Sequence, residues 1–157
     1  MTQRERSAGF SLVEVIVAMC MLAWILITVA GLFSLGGRHV KSGRDSSQAL
    51  AVARDIVEEI HGWGFHQTYT LFGKDGLAAE YTIRTDLLQP ADYVWQAPGE
   101  PTWQDALTPK LFEARAEIRI ESLGGNLAAS NAIRVGVTVF WMEGLRPRNV
   151  RLSMLRN

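Results

Sequence analysis

The sequence predicts an α+β fold in which one long N-terminal helix packs on an antiparallel sheet of three or four strands. An uncharged apolar run from Val15 to Leu35 is followed by helical periodicity of apolar and polar residues. The second half of the chain instead alternates apolar and polar residues, as half-buried strands do. The chain of 157 residues, 48% of them hydrophobic, has the length of one domain of ordinary size.

The first helical segment is long enough to cross a membrane. The run Val15–Leu35 holds 21 residues without a charge, and as a helix it spans about 30 Å, the thickness of a bilayer core. No small-residue cleavage site of the secretory type follows it, so residues 10–37 are predicted to form a single transmembrane helix. Arg4 and Arg6 precede the span and favour a cytoplasmic N-terminus, which places residues 38–157 on the outer side.

The helix is predicted to continue beyond Gly36-Gly37 as an amphipathic segment over residues 38–62. Charged residues such as Arg54 and Glu58 occupy one side of this segment, and Gly62 supplies a stop signal. The other side carries an apolar stripe: Ala49, Val52, Ala53, Ile56, Val57 and Ile60. Packing of this stripe against the rest of the chain is favoured over an independent coiled-coil partner.

Alternating segments predict the sheet within residues 77–156. These segments are 77–88, 113–121, 132–142 and 149–155. In the first segment, one face is predicted to hold Tyr81, Ile83, Thr85 and Leu87, and in the second the inward face holds Ala114, Ala116, Ile118 and Ile120. In the third segment one face holds Ile133, Val135, Val137, Val139 and Trp141, and in the fourth it holds Val150, Leu152 and Met154. The stretch EGLRP between the last two segments predicts a hairpin turn marked by Gly144 and Pro147.

The connection from Gln89 to Pro109 is predicted to be long and mostly irregular, because it holds four of the five prolines. Its aromatic residues Tyr93, Trp95 and Trp103 form a candidate interface for a neighbouring subunit or a ligand. The alternative, which is favoured, is that Trp95 and Trp103 cover an edge of the sheet or the helix.

Composition and motifs argue against several functional classes. The net charge is zero, which does not favour a nucleic-acid binder, although residues 134–156 hold five arginines and one glutamate. The single cysteine, Cys20, permits no intramolecular disulfide and no cysteine-based zinc site, and the three histidines lack the spacing of helical metal ligands. No nucleophile elbow, zinc-protease motif, phosphate loop or dinucleotide fingerprint is present. The sequence therefore predicts no catalytic residues, no cofactor and no metal.

The N-terminal residues carry a resemblance to a known family. The stretch Gly9-Phe10-Ser11-Leu12-Val13-Glu14-Val15 follows a short basic leader and precedes about twenty apolar residues. It resembles the class III signal of the type IV pilin superfamily. The resemblance implies that a prepilin peptidase removes leader residues 1–9 by cutting between Gly9 and Phe10, and methylates the new Phe10 amine. It also implies that Glu14 sets the register of each subunit by pairing with the N-terminal amine of a neighbour in the filament.

The chemistry of the residues agrees with this resemblance. Cleavage before Phe10 creates an ammonium four residues from Glu14, so two charges that are each unfavourable in an apolar core can neutralise one another. Gly9 offers an unhindered backbone to a peptidase because it has no Cβ. The match is strongest over residues 1–37, extends to about residue 62, and rests on architecture alone beyond that. It departs from many pilins in one respect, since no proline lies between Phe10 and Trp63.

These inferences lead to one leading function and two alternatives. The leading one is a minor pilin, a structural subunit that primes or modifies a type IV pilus. The alternatives are a minor pseudopilin of a type II secretion system and a signal-anchored periplasmic binding or enzyme domain. The expected partners are a prepilin peptidase, other pilins or pseudopilins and the inner membrane, while nucleic acid is not expected. The expected location is the inner membrane with the head in the periplasm, followed by a pilus or pseudopilus.

Overall fold

A computed structural model describes residues 11–97 and 99–157 and divides the chain into two units, Met1–Lys41 and Ser42–Asn157. The second unit is called the head below. The elements in chain order are α1 (Leu12–Gly62), α2 (Gln67–Thr70), β1 (Glu80–Arg84), a 3₁₀ turn (Pro90–Asp92), α3 (Trp103–Leu107), β2 (Arg115–Ser122), β3 (Ile133–Glu143) and β4 (Arg146–Arg156). The fold is α+β, with a long helix and a four-stranded antiparallel sheet, as the sequence predicts.

The part of α1 in the first unit is apolar and uncovered. Among the described residues, α1 is the one helix that is long and apolar enough to cross a membrane. Every large apolar side chain from Leu12 to Leu35 is exposed. The Thr28 hydroxyl donates to the carbonyl of Trp24 at 2.9 Å, so its polar group is satisfied within the helix itself.

The part of α1 in the head buries the predicted stripe. Ala49, Val52, Ala53, Ile56 and Ile60 are buried, and Val57 is half-buried. On the solvent side Arg54 and Glu58 form an ion pair at 2.6 Å across one helical turn. The prediction that this stripe packs within the head is confirmed, because it belongs to the same core as the inner face of the sheet.

The sheet is an antiparallel meander in the order β1-β2-β3-β4. Its inner face holds the residues that the alternation predicts, and those of β2 and β3 are buried: Ala116, Ile118, Ile120, Ile133, Val135, Val137, Val139 and Trp141. The outer face carries charged residues that pair across strands, as in Arg119 with Glu80 and Arg134 with Glu121. One face of the sheet therefore packs in the core while the other meets water.

Two strands differ in length from their predictions. β1 covers only residues 80–84, against a predicted 77–88, because a turn closed by Leu87 N and Arg84 O at 3.2 Å ends it. Leu87 therefore lies outside β1 and is exposed, and the prediction that it shares a face with the buried Ile83 and Thr85 is wrong. β4 begins at Arg146, three residues before the predicted 149, so the hairpin loop is only Gly144-Leu145. Gly144 has a φ of 64° there, a backbone conformation that favours glycine.

Pro147 lies within β4 and not in the turn. Proline has no N–H to donate, and β4 is an edge strand, so a missing donor on its outer edge removes no ladder bond. The connection of residues 89–109 also contains more structure than predicted, since it includes the 3₁₀ turn and α3. Thr102 caps α3 reciprocally with Asp105, and these hydrogen bonds from the Thr102 hydroxyl and backbone N–H hold the pKa of Asp105 below its usual value.

Polar contacts fix both ends of the head part of α1. At its start, Glu143 Oε2 accepts hydrogen bonds from Ser42 Oγ at 3.3 Å and from Arg148 Nε at 2.9 Å. At its end, Arg156 Nη1 donates to the carbonyl of Ile60 at 2.9 Å, and its second amino group donates to the carbonyl of Trp63. A cation that binds the last carbonyls of a helix satisfies groups that have no helical partner. The helix thus runs from the β3–β4 hairpin to the opposite end of the sheet.

Candidate functional site

The N-terminal motif lies at the boundary of the described residues. Gly9 and Phe10 lie outside them. Ser11 precedes α1, and its carbonyl accepts hydrogen bonds from Glu14 N at 3.0 Å and Val15 N at 3.2 Å. Glu14 therefore stands in the first turn of the helix, with its side chain exposed.

The position of Glu14 explains how a carboxylate is tolerated there but leaves it in need of a cation. The first turn of a helix presents unpaired N–H groups and the positive end of the helix dipole, which favour a negative side chain. Glu14 is the only acidic residue between Ser11 and Lys41. Its neighbours Val13 and Val15 are apolar and exposed. In an apolar environment a charged carboxylate is unfavourable unless a positive group pairs with it.

The apolar surface of the first unit is far larger than a soluble monomer exposes. It is continuous around the helix from Leu12 to Leu35, and none of that stretch is buried by other parts of the described chain. Large exposed apolar surfaces of this kind mark sites of membrane or protein contact. The apolar part of α1 and the carboxylate at its start are therefore the features of this unit that can carry function.

The aromatic residues of the 89–109 connection lie in a cluster of five rings, which we call the aromatic cluster: Trp63, Phe72, Tyr93, Trp95 and Trp103. Within it, Trp95 lies 5.0 Å from Trp63, 5.2 Å from Tyr93 and 5.3 Å from Trp103 between ring centroids. Such centroid separations are typical of favourable aromatic pairs.

The cluster packs against the core of the head, and its rings are buried or half-buried. Tyr93 and Trp103 are buried, and Trp95 is half-buried. Trp103 Nε1 donates to Glu59 Oε2 at 2.6 Å, which fixes the ring against the last turns of α1. These contacts give the three aromatic residues a packing role at the end of the helix. The interface predicted for Tyr93, Trp95 and Trp103 stays a prediction.

Burial raises the pKa of the Tyr93 phenol to about 12. The Thr102 side chain and the backbone of Trp103 lower this pKa, but by less than burial raises it. A phenol with an unfolded pKa near 10 and a higher folded pKa keeps its proton longer in the folded state. We therefore expect the head to lose stability as the pH rises from 10 to 12, by up to about 2–3 kcal/mol from this group. The measurement is denaturant unfolding of the full chain at several alkaline pH values.

Tyr93→Phe is the matched control for this pH dependence. The variant keeps the ring contacts and removes the ionisable group, so the loss of stability between pH 10 and 12 should be smaller than in the parent chain. Below pH 9 the two chains should differ little. An identical alkaline dependence in both chains would show that Tyr93 does not titrate as its burial implies.

The strand arginines are mostly engaged within the head. Arg148 pairs with Glu143, and Arg156 caps α1. The guanidinium of Arg151 lies over Gly136 on the neighbouring strand. A Cβ at position 136 would lie 3.5 Å from Arg151 Nη2. The basic composition of residues 134–156 thus serves intramolecular contacts in large part.

Sequence reasoning missed several of the residues that organise the head. Glu143, Arg156 and Glu59 make contacts with residues far away in the chain, and no local pattern marks them. Among the described residues, no group of three or more histidine, cysteine, aspartate or glutamate side chains is arranged to hold a metal ion.

Comparison with known proteins gave no match: no family model, no curated protein and no solved structure is significantly similar to this chain.

Proposed function

We propose that the chain is a minor pilin, a structural subunit that primes or modifies assembly of a type IV pilus after cleavage and N-methylation by a prepilin peptidase. The observation that carries the proposal is the motif from Gly9 to Glu14 directly before an apolar helix. The motif is specific because a basic leader, a glycine, an aromatic residue, a glutamate and an apolar span must all coincide.

The described structure supports this proposal in two ways. The helix from Leu12 is long and apolar enough to cross a membrane and is uncovered. The same helix continues into a head in which it packs on an antiparallel sheet, the architecture that the family resemblance implies. In this proposal the head lies in the periplasm, and the partners are other pilins, the peptidase and the inner membrane.

The principal alternative is a minor pseudopilin of a type II secretion system, which shares the signal and the plan of the head. Genomic context separates the two hypotheses. Pilus biogenesis genes beside the gene for this chain support a pilin, whereas genes for a secretion ATPase and a secretin support a pseudopilin. A signal-anchored periplasmic binding domain is the alternative of another class, and it predicts that the leader is never removed.

Processing tests the proposal. On coexpression with an active prepilin peptidase, we expect the intact mass of the chain to decrease by residues 1–9 and to gain one methyl group. N-terminal sequencing should then begin at N-methylated Phe10. The measurement is mass spectrometry of the chain purified from membranes, with a known prepilin as the positive substrate.

Gly9→Val is the control variant for this experiment. A branched side chain beside the scissile bond obstructs the peptidase without changing the apolar span, so the variant should stay full-length in the same membranes. A parent chain that stays full-length while the known prepilin is cut would contradict the pilin assignment.

A further inference from the structure

The β3–β4 hairpin exposes an apolar side chain at its tip. Leu145 is 95% exposed, more than any other large apolar side chain among the described residues. Leu145 lies in the two-residue loop, outside the paired residues of β3 and β4, so its side chain contributes little to the fold. Phe112 is also 67% exposed, and its carbonyl accepts a hydrogen bond from Met142 N at 3.0 Å. This bond holds Phe112 at the same end of the sheet as the hairpin.

Cationic side chains flank these two apolar residues. Arg146 follows Leu145 directly and is exposed. Arg148 is also exposed and is held in place by Glu143. We call Phe112, Leu145, Arg146 and Arg148 the hairpin-end surface. Apolar side chains beside arginines are typical of surfaces that rest on the headgroup region of a bilayer, where the former enter the apolar boundary and the latter contact phosphate.

The length of the connecting chain limits how far this surface can lie from the end of the apolar span. Glu143, beside the hairpin, accepts a hydrogen bond from Ser42, the first residue of the head. Ser42 lies seven residues after Leu35, where the apolar run ends. Seven residues reach at most about 25 Å even when fully extended. If the span lies in a bilayer, Ser42 can therefore lie no more than about 25 Å from its outer end, which leaves the hairpin end of the head within reach of the lipid surface.

We propose that the hairpin-end surface docks on the lipid surface, with Phe112 and Leu145 entering the interface and Arg146 binding anionic headgroups, while Arg148 stays paired with Glu143. The inference rests on the proposed function only in requiring that the apolar helix is a membrane anchor. A second copy is a poor occupant, because a symmetric contact would bring arginines against arginines. The surface thus holds the head against the bilayer before assembly.

Site-directed spin labels on the full chain test the docking. The chain is reconstituted at one copy per lipid nanodisc, either in phosphatidylcholine alone or with phosphatidylglycerol added. Single labels are introduced by Leu145→Cys, Phe112→Cys and Leu77→Cys in a Cys20→Ala background. Leu77 is the matched control because it is 70% exposed and precedes β1 at the end of the sheet away from the hairpin. The native Cys20, labelled in the parent chain, reports whether the span is in lipid.

We expect labels at positions 145 and 112 to collide several-fold less often with a water-soluble nickel complex, and more often with oxygen, than the label at 77. The difference should be larger in discs with phosphatidylglycerol. Arg146→Gln, added to the Leu145→Cys chain, should remove much of that lipid-dependent increase.

Two results would overturn the proposal, and they are distinguishable. Equal nickel accessibility at positions 145, 112 and 77, with a label at Cys20 in lipid, would show an anchored head that does not dock. A label at Cys20 that is accessible to the nickel complex would show that the helix is not an anchor, which removes the proposed function together with the docking. One copy per disc excludes protection by a second chain.

Discussion

Glu14→Val is expected to leave membrane insertion and leader cleavage intact and to reduce incorporation into filaments by at least about tenfold. The reason, under the proposed function, is the charge that the new Phe10 amine would carry after cleavage. With Glu14 present, this amine has a carboxylate partner at the start of the helix; with valine, it would enter an apolar filament core alone. Leaving one member of a buried ion pair without its partner costs about 3–5 kcal/mol, far more than this loss of incorporation requires.

The measurement compares the sheared filament fraction with the membrane fraction, using an antibody against the head and the N-terminal mass of each pool. Glu14→Gln has nearly the size of glutamate without the charge and should fail like the valine variant. Val13→Leu, an apolar exchange at the neighbouring exposed position, should assemble normally. Normal incorporation of Glu14→Val would remove the pairing role, and loss of its cleavage would indicate a role in recognition by the peptidase instead.

The elements that the sequence predicted well are those with one face in the core. The inner side chains of β2 and β3 are buried, while their outer positions other than Gly136 are partly or fully exposed, so a shift by one residue would reverse every orientation. The same reasoning holds for the head part of α1, where Val52, Ala53 and Ile56 recur with helical spacing.

The errors fell at strand ends, where local patterns compete with contacts elsewhere. The alternation through Thr85 to Leu87 continues in sequence, but Thr85 binds Gln104 and the backbone of Ala116 instead of extending a strand. Pro147 resembles a turn residue, yet an edge strand tolerates it. Neither the contacts of Thr85 nor the edge position of Pro147 can be predicted from the local sequence pattern.

The functional residues also differ in whether the sequence reveals them. Glu14 is recognisable because a charge at the start of an apolar run is unusual and because it lies five residues after Gly9, in a stretch that resembles a pilin signal. The Glu143 carboxylate that joins Ser42 to Arg148 has no such local signal, because its partners are brought together only by the fold. The docking surface next to it could therefore be inferred only after the hairpin was placed at the Ser42 end of the head.

Ile56→Ala is expected to destabilise the head by about 2–5 kcal/mol, the cost of removing a fully buried branched side chain and leaving a cavity. Ile56 has no exposed surface and lies in the core formed by α1 and the inner face of the sheet. Domains of this size have a free energy of unfolding of about 5–15 kcal/mol, so this one truncation removes a large share of the total. The measurement is urea unfolding of the full chain in nanodiscs, followed by tryptophan fluorescence.

Leu50→Ala is the matched control, because it removes the same number of carbon atoms from the same helix at a side chain that is 45% exposed. Its cost should stay below about 1 kcal/mol, since alanine is a good helix former and little cavity is created. If both variants lost the same stability, α1 would not be packed on the sheet as described. A large cost for Ile56 alone would show that the head part of α1 is a main packing element of the head, so that the segment continuing the apolar helix also stabilises the head.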